Sequence, residues 1–376
     1  MTAAGAEWAR PALHGQARRR AAHRARVLRS LRCDGPAIRQ ELASRTALST
    51  TTVSSLLAEL EHEGLITQQA VRHGGTGRRP VLVSFNRDAG TALAVDVGPD
   101  RLAVAVGSRP GGVLAECRVP LPAQADPQGA DRVLSACAER ALAEAGTDPE
   151  TLVGVTVALS MPPRAGSDGA ESGASELLWA GAAHRTVGAR WRIPVTVERG
   201  ARLGALAEYS RGGAAGAHSI VNITHAGAAE LGVAIDGTLL RGHSGRAGRL
   251  GHLLVRPDGR TCRCGRRGCL DAYLTPAAPL QLSGRAPDDL PDDGRLARFA
   301  EAVAAAAALI DPSVIVLGGA LASEGERLEA PLRRALSSVP FRPAVPVVRS
   351  TLGDRAPLLG GLDLALAQPR VPVEPP

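Results

Sequence analysis

Lysine is absent from this sequence, and aromatic residues are scarce. All 44 positions counted as lysine or arginine are arginine, and aromatic residues make up 2% of the 376 residues. With so few aromatics, the hydrophobic core must be built from alanine, valine, leucine and isoleucine. A chain of this length is expected to fold as two or three domains.

Long apolar runs are missing as well. No stretch approaches the roughly 18 consecutive apolar residues of a membrane span, so no membrane partner is expected. The N-terminus also lacks the apolar core of a signal peptide. Cys33, Cys117 and Cys137 are scattered along the chain, which does not resemble a disulfide framework and favours the reducing cytoplasm.

The charge of the chain is concentrated near its start. The formal net charge is +7, and residues 1–35 carry eight arginines but only two acids, Glu7 and Asp34. This distribution makes nucleic acid a candidate partner. We expect residues 1–20 to form a disordered basic tail, because a charged segment with few apolar residues cannot pack into a core.

Residues 21–87 carry the pattern of three short helices and a hairpin. Apolar residues at helical spacing predict a helix over Ala21–Cys33 and a second helix containing Ile38 and Leu42. A third helix begins after Ser49, a good N-cap, and its core-facing residues are Val53, Leu56, Leu57 and Leu60. Two strands, LITQQA and VLVSF, are joined by the arginine- and glycine-rich segment VRHGGTGRRP.

The start of the third helix is rich in short hydroxyl side chains, which suit the major groove of DNA. The glycine-rich hairpin tip has the composition of a wing that lies along a minor groove. The segment ALSTTTVSSLLAELEHEGLI resembles the winged helix-turn-helix of bacterial repressors. The alternative is a protein-docking module with a solvated hydroxyl face. The candidate DNA-binding residues are Arg45, Ser49, Thr50, Thr51, Thr52, Ser54, Ser55, Arg72, Arg78 and Arg79.

A second motif lies in GHLLVRPDGRTCRCGRRGCLD, which begins at Gly251. Cys262, Cys264 and Cys269 fall within eight residues, and His252 precedes the first of them by ten residues. Three thiolates and one imidazole form the closed tetrahedral set that structural Zn(II) prefers. The spacing therefore predicts a structural zinc site in the loop 252–269.

The sequence around this loop resembles the signature of the ROK family of repressors and sugar kinases, G-x-x-G-x-A-G-E-x-G-H followed by C-x-C-G-x-x-G-C-x-E. The resemblance implies that residues 91–368 form a ROK sensor and oligomerisation domain. It implies an α/β fold with two actin-like, ribonuclease-H-like lobes that face each other across a cleft.

The sequence departs from the kinases of this family at the residues that handle phosphate. Arg199 and Gly200 occupy the positions of the family's catalytic Asn-Asp pair, and glycine cannot act as a general base. Asp100 lies in the first phosphate turn, and Glu230 replaces a glycine of the second. No enzymatic activity is therefore expected.

The resemblance also places the family's sugar contacts at Arg199, Arg249, His252 and Asp271, with only the histidine unchanged. The two arginines could recognise an anionic effector such as a sugar phosphate or sugar acid, with a neutral sugar less suited. Alternatively, the pocket is vestigial and filled by an Arg–Asp pair.

We therefore interpret the chain as a DNA-binding transcriptional regulator, a repressor, with a degenerate sugar-kinase-like sensor domain. The expected form is a homodimer or a dimer of dimers on double-stranded operator DNA, in the bacterial cytoplasm at the nucleoid. The alternatives are a constitutive DNA binder with a vestigial pocket and a residual ROK sugar kinase.

Overall fold

The structure is a computed structural model that describes residues 12–70, 81–86, 90–109, 112–121, 126–160, 174–274, 292–339 and 345–367. The chain divides into two compact units. One is Met1–Ala89 together with Ile235–Thr238, and the other is Gly90–Ala234 together with Leu239–Pro376.

In its described residues, the first unit consists of three helices and a three-stranded sheet. The helices are α1 (Ala12–Cys33), α2 (Arg39–Thr46) and α3 (Thr50–His62), and the strands are β1 (Ala37–Ile38), β2 (Ile66–Ala70) and β3 (Val81–Phe85). Strand β3 pairs antiparallel with both neighbours, in the order β1-β3-β2. This is the winged helix-turn-helix arrangement that the sequence predicts.

The core of this unit is built from the apolar residues that set the helical pattern. Val53, Leu56, Leu57 and Leu60 of α3 are all buried, and they pack with Val27 and Leu31 of α1, Leu42 of α2 and Val83 of β3. The sequence prediction was wrong for part of the basic tail, since α1 begins at Ala12 and residues 12–20 are helical. Residues 1–11 lie outside the described residues.

The second unit contains two five-stranded sheets with the same strand order. The first sheet runs β6-β5-β4-β7-β8 and the second runs β11-β10-β9-β12-β13. Their strands are β4 (Thr91–Val97), β5 (Arg101–Ser108), β6 (Gly112–Pro120), β7 (Leu152–Leu159), β8 (Val195–Arg199), β9 (Ser219–His225), β10 (Ala229–Ile235), β11 (Thr238–Leu239), β12 (Val314–Leu317) and β13 (Val347–Arg349). Such a repeat is what two duplicated ribonuclease-H-like lobes predict.

Helices accompany each sheet at corresponding points of the chain. In the first half they are α4 (Pro127–Ala145), α5 (Ala174–Ala183), the short α6 (Ala189–Trp191) and α7 (Gly200–Arg211). In the second half they are the short α8 (Asp271–Leu274), α9 (Asp292–Ile310), α10 (Gly325–Ser337) and α11 (Ala356–Leu366). In the first sheet the central strand β4 pairs in parallel with β7, which follows a helical crossover. In the second sheet the central strand β9 pairs in the same way with β12.

The two halves are joined through α7 and α11. Helix α11 packs against α7 and also against β4 and β7 of the first sheet. The approach is close enough that a Cβ atom at Gly360 would overlap the carbonyl oxygen of Leu203. A buried ion pair between Arg211 and Asp363 also links the two helices. The start of α7 also lies beside β10, since a Cβ atom on Gly232 would overlap the carbonyl oxygen of Ala201.

Among the described residues, no helix is both long enough and apolar enough to cross a membrane.

Candidate functional sites

The candidate DNA-binding surface is formed by the start of α3. Ser49 is the N-cap, and its hydroxyl accepts a hydrogen bond of 3.1 Å from the backbone N–H of Thr52. This bond satisfies one of the free amides at the helix start. Thr50, Thr51 and Ser55 are exposed, whereas Thr52 and Ser54 are half-buried. The predicted hydroxyl side chains thus lie within the first two turns of α3, three of them exposed.

Not all of the predicted DNA contacts are equally available on this surface. The hydroxyl of Ser54 donates to the carbonyl oxygen of Thr50 at 2.7 Å. Arg45 is exposed and makes only long contacts, of 3.4 Å, to the carbonyl oxygens of Asp34 and Gly35. Arg72, Arg78 and Arg79 of the proposed wing lie outside the described residues. The helix face and Arg45 are therefore the parts of this site that the structure describes.

The four predicted metal ligands converge at one point. Their ligand atoms, from His252, Cys262, Cys264 and Cys269, all lie within 4.8 Å of one another. His252 Nδ1 lies 3.9 Å from Cys262 Sγ, and the Sγ atoms of Cys264 and Cys269 are 3.7 Å apart. With Zn–S bonds of about 2.3 Å, a tetrahedral site has sulfur atoms about 3.8 Å apart. The donor set and its spacing therefore fit zinc.

The loop holds these ligands through its backbone and through one side chain. The N–H of Cys262 donates to the carbonyl of Arg266 at 2.7 Å, and that of Gly265 donates to Cys262 at 2.9 Å. The hydroxyl of Tyr273 accepts the N–H of Arg260 at 3.0 Å. Burial raises the pKa of Cys269 to about 12, and its two neighbouring thiols add to that increase. Because three adjacent thiols resist ionising together, a divalent cation is the natural partner for the set.

Two residues at positions that a sugar kinase would use for its substrates form an ion pair with each other. Arg199 Nη1 lies 2.7 Å from a carboxylate oxygen of Glu230, and both side chains are largely buried. The sequence anticipated an Arg–Asp pair, but the partner of Arg199 is the residue that replaces the phosphate-turn glycine. Asp271 accepts the backbone N–H of Ala229 at 2.9 Å and contacts Arg263 at 3.4 Å. Asp271 therefore holds the backbone of the second phosphate turn.

Behind this pair lies an ion network that the sequence analysis did not identify. Glu198 is bound by Arg202 and Arg241, each with an N–O distance of 2.6 Å. Arg202 also donates to the carbonyl oxygens of Gly245 and Ala247. The i,i+4 spacing of Glu198 and Arg202 is visible in the sequence. The contribution of Arg241 arises from the fold.

At position 200, where the family has its catalytic aspartate, no room is left for a side chain. A Cβ atom on Gly200 would overlap the hydroxyl oxygen of Ser160. That hydroxyl donates to Asp96 at 2.6 Å. Asp96 belongs to the first phosphate turn and is 1% exposed, and burial raises its pKa to about 6. Ser160 was not among the predicted residues, because no local pattern indicates its contact with Gly200.

Arg249 and His252 complete the predicted effector residues. Arg249 is half-buried, immediately before a short 3₁₀ turn, Leu250–His252. Burial lowers the pKa of His252, which keeps the imidazole neutral as a metal ligand must be. The structure thus assigns His252 to the metal cluster and brings Arg199 and Asp271 to the cleft with internal partners.

Comparison with known proteins agrees with this architecture. The model of the ROK family matches residues 92–368. The chain belongs to the ROK family. The model of the MarR family matches residues 22–70, which include the second part of α1 and all of α2, α3 and β2. This ROK protein therefore joins a DNA-binding unit of MarR type to a ROK domain.

Individual relatives of this ROK protein include both kinases and repressors. It is 32% identical to a glucokinase of Streptomyces coelicolor over 219 residues, which are 48% of this chain and 69% of that one. It is 27% identical to a xylose repressor of Caldicellulosiruptor bescii over 249 residues, 65% of this chain and 61% of the repressor. The crystal structure of a ROK family transcriptional regulator, a homolog of the E. coli MLC protein, matches 92% of this chain and 97% of its own, with a TM-score of 0.63 and 20% identity. That likeness shows a shared fold across both units.

Proposed function

We propose that this protein is a DNA-binding transcriptional repressor whose kinase-like domain no longer transfers phosphate. The observation that carries the proposal is the combination of an exposed helix start, Thr50–Ser55, with a ROK domain that lacks a base at Gly200. A repressor needs the first feature and does not need the second. A ROK kinase needs an acid at position 200 and does not need a winged helix-turn-helix.

The DNA contacts that we propose are the hydroxyl face of α3, Arg45 and the three wing arginines. Hydroxyl groups and arginines bind phosphates and base edges. A homodimer would present two copies of α3 to successive turns of a palindromic operator on the chromosome, in the cytoplasm. We further propose that the cluster at His252 holds one structural zinc ion, since all four ligand positions come from the protein.

The test of DNA binding is fluorescence anisotropy of the purified protein on a duplex from upstream of its own gene. Binding should be saturable and should weaken as salt rises, because bound arginines release counterions from the phosphates. The docking-module alternative predicts no binding at any modest salt concentration.

Zinc is measured in the same preparation by atomic emission, and one ion per chain is expected.

The test of the lost enzymatic activity is ATP-dependent phosphorylation of glucose and other sugars. No phosphate transfer is expected from the wild-type protein. Gly200→Asp should not restore transfer, because its side chain would overlap Ser160 Oγ. Transfer by the wild-type protein would overturn the proposal and favour the residual kinase.

A second proposal concerns the cleft, and the Arg199–Glu230 pair supports it. Glu230 accepts a hydrogen bond from Arg199, as the carboxylate of an anionic ligand would. The cleft is therefore filled by the protein's own side chains. DNA binding is then constitutive, because no effector enters the cleft. An anionic effector, a sugar acid or sugar phosphate, would have to displace Glu230. Titrating such compounds into the protein–DNA complex tests this: release of DNA by one of them would show that the cleft is a working sensor.

A further inference from the structure

Helix α1 carries an unusual charge for a helix that packs beside a recognition helix. Its 22 residues include seven arginines and no acidic residue. Two of these arginines form ion pairs with acids at α3: Arg20 pairs with Glu59 within the helix, and Arg24 pairs with Glu63, the residue that caps its end. The two pairs connect the same two helices, but they differ in their position along α3.

Arg20 lies at the exposed face of α3. Its Nε donates to Glu59 at 3.1 Å, and its Nη2 contacts both Glu59 and the hydroxyl of Ser55, the latter at 2.9 Å. Ser55 is exposed and lies one turn after Thr51 on the same side of the helix. The guanidinium of Arg20 is therefore continuous with the hydroxyl surface, and its side chain remains 51% exposed.

Arg24 is placed differently. It binds Glu63 through both terminal nitrogens, Nη1 and Nη2, at 2.5 Å each. Glu63 caps the far end of α3, and the side chains of this pair are only 23% and 25% exposed. This second pair is consistent with a clamp between the helices and has no contact with the hydroxyl face. It provides a matched control for the first.

Glu59 creates an electrostatic problem for a helix that enters DNA. A carboxylate on the recognition helix repels the phosphates. Arg20 neutralises that carboxylate. The two hydrogens on Nη1 take no part in the contacts to Glu59 and Ser55, and a guanidinium can donate five hydrogen bonds in all. Arg20 can thus hold Glu59 and donate to a phosphate at the same time.

We propose that Arg20 is a DNA-binding residue, which α1 supplies to the recognition surface and which contacts the phosphate backbone. The proposal rests on the proposed DNA-binding function and adds a helix to the surface that the helix-turn-helix and wing provide. It also assigns Glu59 the role of holding the guanidinium in place before DNA arrives.

The experiment measures affinity for a fluorescein-labelled, mixed-sequence duplex at a series of salt concentrations. Arg20→Ala should bind several-fold more weakly at low salt, and the slope of log K against log salt should fall by about 0.9, the value for one lost phosphate contact. Arg24→Ala should leave the slope unchanged. Arg20→Lys should retain most of the slope, because lysine also binds phosphate as a point charge. Circular dichroism melting checks that each variant is folded.

The variant Glu59→Gln separates the phosphate contact from simple neutralisation. If Arg20 contacts a phosphate, the double variant Arg20→Ala/Glu59→Gln still binds with the reduced slope. Recovery of wild-type affinity and slope in the double variant would show that Arg20 only cancels Glu59, and would overturn the proposal, as would an unchanged slope in folded Arg20→Ala. Failure of the wild-type protein to bind any duplex at low salt would instead overturn the DNA-binding function itself.

Discussion

Two arginine–glutamate pairs in this chain show how burial changes what the same chemistry does. In the DNA-binding unit, the side chains of Arg20 and Glu59 are 51% and 42% exposed. In the kinase-like domain, those of Arg202 and Glu198 are 4% exposed each. The exposed arginine remains accessible to a ligand from solution. The buried one donates to Glu198 and to two backbone carbonyls and thereby stabilises the fold.

The same contrast holds for the two units as a whole. The described residues proposed to contact DNA are exposed or half-buried, and they lie at the start of α3 and on α1 and α2. The residues that a sugar kinase would direct at its substrate bind the protein's own acids and amides. This contrast supports the proposal that the helix-turn-helix binds DNA, whereas arginines of the kinase-like domain are held by the protein's own acids. The following predictions test it, from the largest expected effect to the smallest.

Removing Glu198 should have the largest effect on stability. Glu198→Ala leaves two arginines without their carboxylate, one of them buried, and breaking such a pair costs about 3–5 kcal/mol. Urea unfolding measures the change. The control is Glu144→Ala, which breaks the exposed i,i+4 pair with Arg140 on α4 and should leave the midpoint almost unchanged. Equal effects of the two variants would contradict the contrast drawn here.

Loss of the metal should rank next. Cys264→Ser removes one of four ligands, and the zinc content should fall from one ion per chain towards none. With zinc at a thousandfold excess over Kd, binding contributes about 4 kcal/mol of stability, most of which the variant should lose. Removing zinc from the wild-type protein with a chelator should reproduce the loss. Full zinc occupancy in Cys264→Ser would show that the ligand set is wrong.

Asp96 should make the free energy of unfolding decrease as pH rises, whereas an ion-paired acid makes it increase. Its pKa rises from 3.8 to about 6 on folding because the carboxyl group is buried, so the folded state holds the proton more tightly. This group therefore adds stability as pH falls from about 6 to about 4, and at neutral pH it costs about 3 kcal/mol. Asp96→Asn should remove the cost of ionising this buried carboxyl group and so increase the free energy of unfolding at pH 7.

The measurement is the difference between the variant and the wild-type protein across that pH range. The difference is needed because His225 acts in the opposite direction. Burial lowers its pKa to about 4. The stability that the neutral imidazole contributes is therefore fully present above about pH 6.5 and is lost as pH falls towards 4. A difference that does not change with pH would show that Asp96 is already ionised without cost.

The smallest effect should come from the N-cap of the recognition helix. Ser49→Ala removes the bond to the N–H of Thr52 and should cost about 1 kcal/mol of stability. Because the same turn belongs to the proposed DNA-binding surface, affinity for duplex DNA should fall as well. Ser337→Ala is the stability control, since that hydroxyl only donates to a carbonyl within α10. A larger loss of stability in the control than in Ser49→Ala would contradict the capping role.

The sequence predicted the features that depend on local spacing. The four apolar residues of α3 from Val53 to Leu60 recur at the helical period, and all four are buried. The ligands Cys262, Cys264 and Cys269 lie in one short loop, and the structure brings His252 to them. The start of α1 could not be located in the same way, because the arginines before Ala21 carry no apolar period that would distinguish a helix from a solvated tail.

Tertiary structure alone decided which charges from distant parts of the chain pair with one another. Arg199 and Glu230 are 31 residues apart, and Arg241 is 43 residues from Glu198. Ser160 reaches Gly200 only because β7 ends beside the start of α7. Ion pairs and steric contacts between distant segments depend on how the strands and helices are brought together, and neither residue of such a pair carries a local sign of its partner. The sequence by itself indicated the helices and the hairpin of the DNA-binding unit and the candidate metal ligands, since those depend on spacing along the chain. Whether an arginine is exposed for DNA or buried in a cleft depended on packing.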